Sequence, residues 1–149
     1  MKVNIALLTV TDTRTFDNDK SGSILVEKIK NANHNLIDRK ICKDNKDEIV
    51  LILREWLKNE NIDTIITTGG TGLTGRDITP EALEEVADKH IPGFGEVFRN
   101  ISLKTVGTSA IQSRACAVLS NGKYVFALPG SSGGVTDAWE GILKHQLDI

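Results

Sequence analysis

Residues 68–81 read TGGTGLTGRDITPE, placing four glycines, an Arg and an Asp within ten positions of one another. Glycines let a backbone adopt positive φ and bring its N–H groups close to an anion. Gly69, Gly70 and Gly72 are therefore candidate phosphate-binding positions, and Thr71 adds a hydroxyl donor. Arg76 has the charge to clamp a phosphate, and Asp77 the oxygen atoms to hold magnesium or orient a nucleophile. A sharp turn capped by its own Asp is the plainer alternative, but such a turn needs neither the extra glycines nor the Arg.

Two familiar motifs overlap this stretch, and neither fits. Gly70–Gly75 satisfies G-x-G-x-x-G, yet it follows about the third strand rather than the first and does not open directly into a helix. The same residues satisfy the start of a P-loop, but Arg76-Asp77 stands where Lys and Ser or Thr would hold the terminal phosphates and magnesium. Two further junctions carry polar chemistry. Gly130-Ser131-Ser132 offers backbone and hydroxyl donors before the last helix, as an anion site or simply an N-cap. The loop with Asp12, Arg14, Asp17 and Asp19 is either a solvated loop or a ligand-gripping lid.

These loops need strands and helices to position them. Val3–Val10 is a continuous apolar run, as expected of a strand covered on both faces. A helix face follows at Ile24, Leu25, Lys28 and Ile29, then a second strand within 33–42 centred on Leu36 and Ile37. Ile49, Ile52, Leu53, Trp56 and Leu57 repeat with helical spacing in 47–58. A third strand, 63–68, runs into the glycine loop, and Thr79-Pro80-Glu81 predicts a helix with Thr79 as N-cap, reaching about Lys89. A Pro/Gly break and short helix are expected in 91–104. Strands 112–119 and 123–128 flank Asn121-Gly122, a strong hairpin signal, and a helix over 135–147 closes the pattern. The alternation predicts a single three-layer α/β domain spanning 1–149, mainly parallel with one antiparallel strand. In such sheets ligands bind beyond the carboxyl ends of the strands, so the three polar loops should converge.

Composition narrows the function classes. Eighteen basic and twenty acidic residues give a formal charge of −2, too near neutral for a nucleic-acid or membrane surface. No apolar run approaches the roughly 20 residues of a membrane span. Cys42 and Cys116 lack metal or redox spacing and are expected as buried free thiols of a reducing cytoplasm; His34, His90 and His145 are scattered.

TTGGTGLTGRDITPEAL resembles the TTGGTG-x-x-x-RD-x-TPE-A signature of the MoaB/Mog family of molybdenum-cofactor biosynthesis, the molybdopterin adenylyltransferases. GFGEVFRNIS, Gln112-Ser113-Arg114, LPGSSGG and TVTDTR are similar to further segments of that family, in the same order along nearly the whole chain. The resemblance implies adenylyl transfer from Mg-ATP to the terminal phosphate of molybdopterin, with release of pyrophosphate. It implies that Asp77 is the main catalytic or magnesium-linked carboxylate and Asp44 a second catalytic one. It places nucleotide phosphates on Gly69, Gly70, Thr71, Gly72 and Arg76, and molybdopterin on Asp12, Ser113, Arg114, Gly130 and Ser131. Glu96 matches the acid of the GFGE segment. Lys43 departs from the Pro that usually precedes the second Asp, and Ser132 from the Pro common after PGS. The family further implies a homotrimer or hexamer and handover of product to the molybdate-inserting enzyme. A non-catalytic molybdopterin carrier is the alternative of a different class, and Asp77 is the residue it would not need.

Overall fold

The computed structural model describes residues 2–147. Strands β1 (Asn4–Val10), β2 (Asn35–Cys42), β3 (Thr64–Thr68), β4 (Lys89–His90), β5 (Cys116–Ser120) and β6 (Lys123–Leu128) form one sheet in the order β2-β1-β3-β6-β5-β4. Only β5 runs against the others, as the antiparallel partner of both β4 and β6. Helices α1 (Lys20–Asn31), α2 (Lys46–Lys58), α3 (Thr79–Val86), α4 (Pro92–Val106) and α5 (Ser132–Ala138) cover the two faces.

The alternation along β1 shows how three layers arise. Ile5 and Leu7 point to one face, where they meet Leu25 and Ile29 of α1, Phe98 of α4 and Val135 of α5. Ala6, Leu8 and Val10 point to the other, against Leu53 and Trp56 of α2 and Leu83 of α3. Successive strand residues face opposite ways, so a strand covered twice must be apolar throughout. Each fully buried Leu or Ile here contributes about 1.5–3 kcal/mol.

Several sequence expectations change in detail. Ile37 is not at the centre of a regular strand: Ile5 pairs with Leu36 and Ala6 with Asp38, so Ile37 bulges from the ladder and is exposed. Thr79 is not an N-cap. Its hydroxyl donates instead to the carbonyl of Gly69 (2.9 Å) and its N–H to that of Gly70 (3.1 Å), tying α3 to the glycine loop. α3 stops at Val86, and Lys89–His90 pairs as the edge strand β4, too short to leave a period of its own. The short helix of 91–104 is the 15-residue α4, continued by a 3-10 turn over Gly107–Gln112. That turn occupies the start of the strand expected from 112, so β5 begins at Cys116. The last helix starts earlier, at Ser132, and widens into π geometry over Trp139–Leu143 before a final turn at Lys144–Gln146. Asn121 and Gly122 do form the hairpin turn, both with positive φ (50° and 75°).

Candidate functional site

β1, β2, β3 and β6 are parallel, so their carboxyl ends lie on one edge, and the loops leaving them meet there. The contacts are close. Gly69 N–H donates to the carbonyl of Leu128 (2.9 Å), Thr68 Oγ1 donates to that of Pro129 (2.7 Å), and a Cβ on Gly130 would lie 3.2 Å from Gly69 Cα. Gly69 and Gly70 have φ of 102° and 71°, and side chains there would strike the Val10 carbonyl and the Thr79 hydroxyl. Gly72 differs from the expectation that it needs positive φ. It is required by space, because its Cβ would stand 2.7 Å from Asp77 Oδ2.

Asp77 folds back onto its own loop. Its Oδ2 accepts from the N–H (2.9 Å) and the hydroxyl (2.8 Å) of Thr74. Partial burial pushes its pKa upward, but the Thr74 and Gly72 hydrogen bonds and the charge of Arg114 outweigh that, leaving it below the ordinary Asp value. Asp77 is thus held ionised. Asp44 behaves oppositely: burial first, then the neighbouring Asp12 carboxylate and Asp77, raise its pKa against the opposing charge of Arg76. Asp12 Oδ1 accepts from Asp44 N–H (3.0 Å), and Arg76 Nε lies 3.5 Å from Asp12 Oδ2. Three carboxylates from three strand ends therefore share one neighbourhood with a single exposed Arg.

On the other side of the glycine loop opens a cavity of about 560 Å³. Thr71, Gly72 and Asp77 form one wall, Gln112 and Ser113 the next, and Gly130 and Ser131 another. Of the residues expected from sequence, Gly70, Thr71, Gly72, Asp77, Ser113, Gly130 and Ser131 line it. Asp12, Asp44 and Arg76 stand off it, beyond Gly70, where Asp44 Oδ1 would be 3.3 Å from a Gly70 Cβ. Ser131 caps α5, its Oγ accepting from Gly134 N–H (3.0 Å). Arg114 lies behind the loop rather than in the cavity, and its nitrogens bond to loop carbonyls and Glu81. Glu96 is exposed on α4, away from the cavity wall.

Sequence reasoning missed Ser102, Thr105 and Asp137, which complete the cavity wall; Thr105 Oγ1 donates to Asp137 Oδ2 (3.0 Å). The helical phase of Ser102 and Thr105 on α4 was the available signal. Asp19, placed among candidates for a lid, is neither lid nor solvated. It is buried, caps α1 through Gly22 N–H (3.0 Å), accepts from Thr9 Oγ1 (2.6 Å) and pairs with Arg39 (3.2 Å). His34 is buried with Nδ1 accepting from Val3 N–H (3.0 Å), a structural role. Cys42 and Cys116 are free thiols; Cys42 is buried and Cys116 partly so.

A family model described as a probable molybdopterin binding domain matches residues 6–148. The chain belongs to that family. It is 42% identical to the Molybdenum cofactor biosynthesis protein B of Escherichia coli K12, over 97% of this chain and 85% of the relative. A crystal structure of a Molybdenum cofactor biosynthesis protein B superposes with a TM-score of 0.96 at 42% identity, covering 99% of this chain and 92% of that one. The tungsten cofactor synthesizing protein MoaB of Pyrococcus furiosus follows at 0.85 and 34%, covering 99% and 96%. Membership of this molybdopterin-binding family supports a role in molybdenum cofactor biosynthesis, and the three-layer sheet matches the family's solved structures. Among the described residues no helix is long and apolar enough to cross a membrane.

Proposed function

We propose that this chain transfers the adenylyl group of Mg-ATP to the terminal phosphate of molybdopterin. In that reaction an oxygen of the acceptor phosphate bonds to the α-phosphorus of ATP, the bond from that phosphorus to the bridging oxygen breaks, and pyrophosphate leaves. One observation carries the reading: Asp77 lines the cavity while Asp44 stands on the far side of the glycine loop, its Oδ1 3.3 Å from where a Gly70 Cβ would lie, so the loop joins two differently built subsites. A two-substrate phosphate transfer needs such a junction, whereas a carrier needs only the cavity.

Positioning and electrostatics do most of the work in reactions of this kind. The backbone around Gly69–Gly72 and the hydroxyl of Thr71 orient phosphates, Ser131 and Ser113 hold the acceptor side, and Arg76 offsets anionic charge on the carboxylate side. Among the described residues no group of three or more His, Cys, Asp or Glu side chains is arranged to hold a metal alone. Asp77, with Asp44 or Asp12, would instead supply the one or two carboxylates with which magnesium joins substrate phosphates, so the donor set fits an ion arriving on ATP. Bound there, magnesium would offset the negative charge of the triphosphate. The raised pKa of Asp44 is consistent with a carboxylate whose cation comes with the substrate.

The test is formation of adenylylated molybdopterin from purified protein, molybdopterin, ATP and magnesium. Asp77→Asn should abolish turnover while sparing pterin binding. Wild-type protein that binds pterin but forms no product is the carrier of the alternative reading. Exposed Val97, Leu103 and Val106 on α4, with Ile111 just beyond, favour self-association into the family's trimer or hexamer, which a solution mass measurement checks. Handover of the product to the molybdate-inserting enzyme follows from the same reading, and the two free thiols suit a cytoplasmic setting.

A further inference from the structure

Arg114 sits 37 residues beyond Asp77 and does not reach into the cavity. Its Nε donates to the carbonyl of Gly72 (2.7 Å) and its Nη2 to that of Asp77 (2.7 Å), so one planar guanidinium bridges the two ends of the excursion 72–77. Nη1 pairs with Glu81, in the first turn of α3, and the backbone N–H of Arg114 donates to the Thr71 carbonyl (2.8 Å). The segment carrying Arg114 is itself held: Arg99 of α4 donates to the carbonyls of Ser113 (3.2 Å) and Ala115 (3.0 Å), on either side of it. All three guanidinium nitrogens thus have protein partners, an arrangement unlike that of an Arg waiting for a phosphate.

We propose that Arg114 is a positioning residue, closing loop 72–77 so that Asp77 is presented to the cavity, with Glu81 fixing the orientation of the guanidinium. The kinetic part of this inference rests on the adenylyl-transfer reading; the structural part does not. A guanidinium is the right group because its donors diverge in one plane and satisfy two carbonyls and a carboxylate together. The Lys ammonium is a point charge on a flexible stem and cannot hold the same three partners in a fixed plane. With the loop ends released, Gly72 no longer confines the Asp77 carboxylate and the Thr74 bonds loosen.

Arg114→Lys keeps the charge and removes the bridge, and two measurements on the full-length protein read it. In steady-state adenylylation, kcat should fall about tenfold or more while KM for ATP and molybdopterin stays within about twofold. A rise in KM for molybdopterin at unchanged kcat would make Arg114 a substrate ligand and overturn the proposal. In a ¹H–¹⁵N spectrum without substrates, the amide of Thr74, whose N–H donates to Asp77 Oδ2, should shift toward its random-coil position in Arg114→Lys. Because the charge is retained, that shift reports geometry; an unmoved Thr74 amide overturns the proposal even if turnover falls. Glu81→Gln keeps an acceptor and the fold, and should move both readouts the same way by less; no effect on either would remove Glu81 from the device. Should wild-type protein form no product, the adenylyl-transfer reading fails by itself, and the Thr74 amide still decides whether Arg114 sets Asp77.

Discussion

Gly72→Ala should separate the architecture of the site from the stability of the fold. Gly72 does not have positive φ, so alanine meets no backbone penalty there. The new methyl would lie 2.7 Å from Asp77 Oδ2, against the 3.4 Å at which ordinary contact begins, so the carboxylate must retreat by about 0.7 Å. A retreat of that size takes the Thr74 bonds, now 2.9 and 2.8 Å, to about 3.5 Å, the edge of hydrogen bonding. Because Asp77 is only partly buried, the loss of stability should be near 1 kcal/mol. A misplacement approaching 1 Å costs up to about 100-fold in rate, so turnover should fall roughly 30- to 100-fold. Urea unfolding and the adenylylation assay on one preparation give both numbers. Gly69→Ala is the contrast: with φ of 102° and the Val10 carbonyl in its way, it should lose stability first. A Gly72→Ala protein retaining more than half of wild-type turnover would refute the idea that the Gly72–Asp77 spacing sets the site.

Three further outcomes are expected. Asp19→Ala removes the cap of α1 and leaves Arg39 and Thr9 without their shared carboxylate, costing about 3–4 kcal/mol in urea unfolding; a loss under 1 kcal/mol would show the pair is not structural. Asp44 has its carboxyl pKa raised in the folded chain, so its ionised form opposes folding, an effect absent at low pH and complete once pH exceeds the folded value. Asp44→Asn should therefore melt higher than wild type at pH 7, with the gap closing as pH falls below the carboxylate range, and no gap at pH 7 would contradict this. Burial, reinforced by Glu48 and Asp44, pushes the Cys42 thiol up to about 12, and burial pushes Cys116 to about 11. Both should react with an aromatic disulfide reagent at pH 8 about 100-fold more slowly when folded than in urea.

Local patterns carried much of the architecture. The apolar spacing of 49–57 gives α2, the doubly apolar run of β1 announces a central strand, and Asn121-Gly122 specifies its turn through backbone sterics alone. The residue types of the glycine loop were legible for the same reason, since close approach to anions and tight packing both demand a missing Cβ. What stayed hidden depends on partners distant in sequence. Asp19 looked like one acid among three until Thr9 and Arg39 closed around it. Thr79 had the right type for a cap, but the carbonyl of Gly69, ten residues back, claims its hydroxyl. Arg114 had the charge of a phosphate ligand, while its role depends on carbonyls about forty residues away, which no local period encodes.

The π segment at Trp139–Leu143 has a consequence for how this chain can change. Ser131, Gly133, Gly134 and Asp137 face the cavity, Val135 and Ala138 of the same helix face the core, and Trp139, Ile142 and Leu143, inside the widened turn itself, continue that core contact. A π turn is what a helix becomes when it absorbs one surplus residue. Deleting a residue there would restore the α repeat and rotate everything before it against everything after it by about 100°. The core contacts before and after the widened turn are therefore phased by a residue count. Alignments that gap this segment, and redesigns that tidy it into a regular helix, would unseat the end of the helix that carries Asp137 without altering a single side chain of the site.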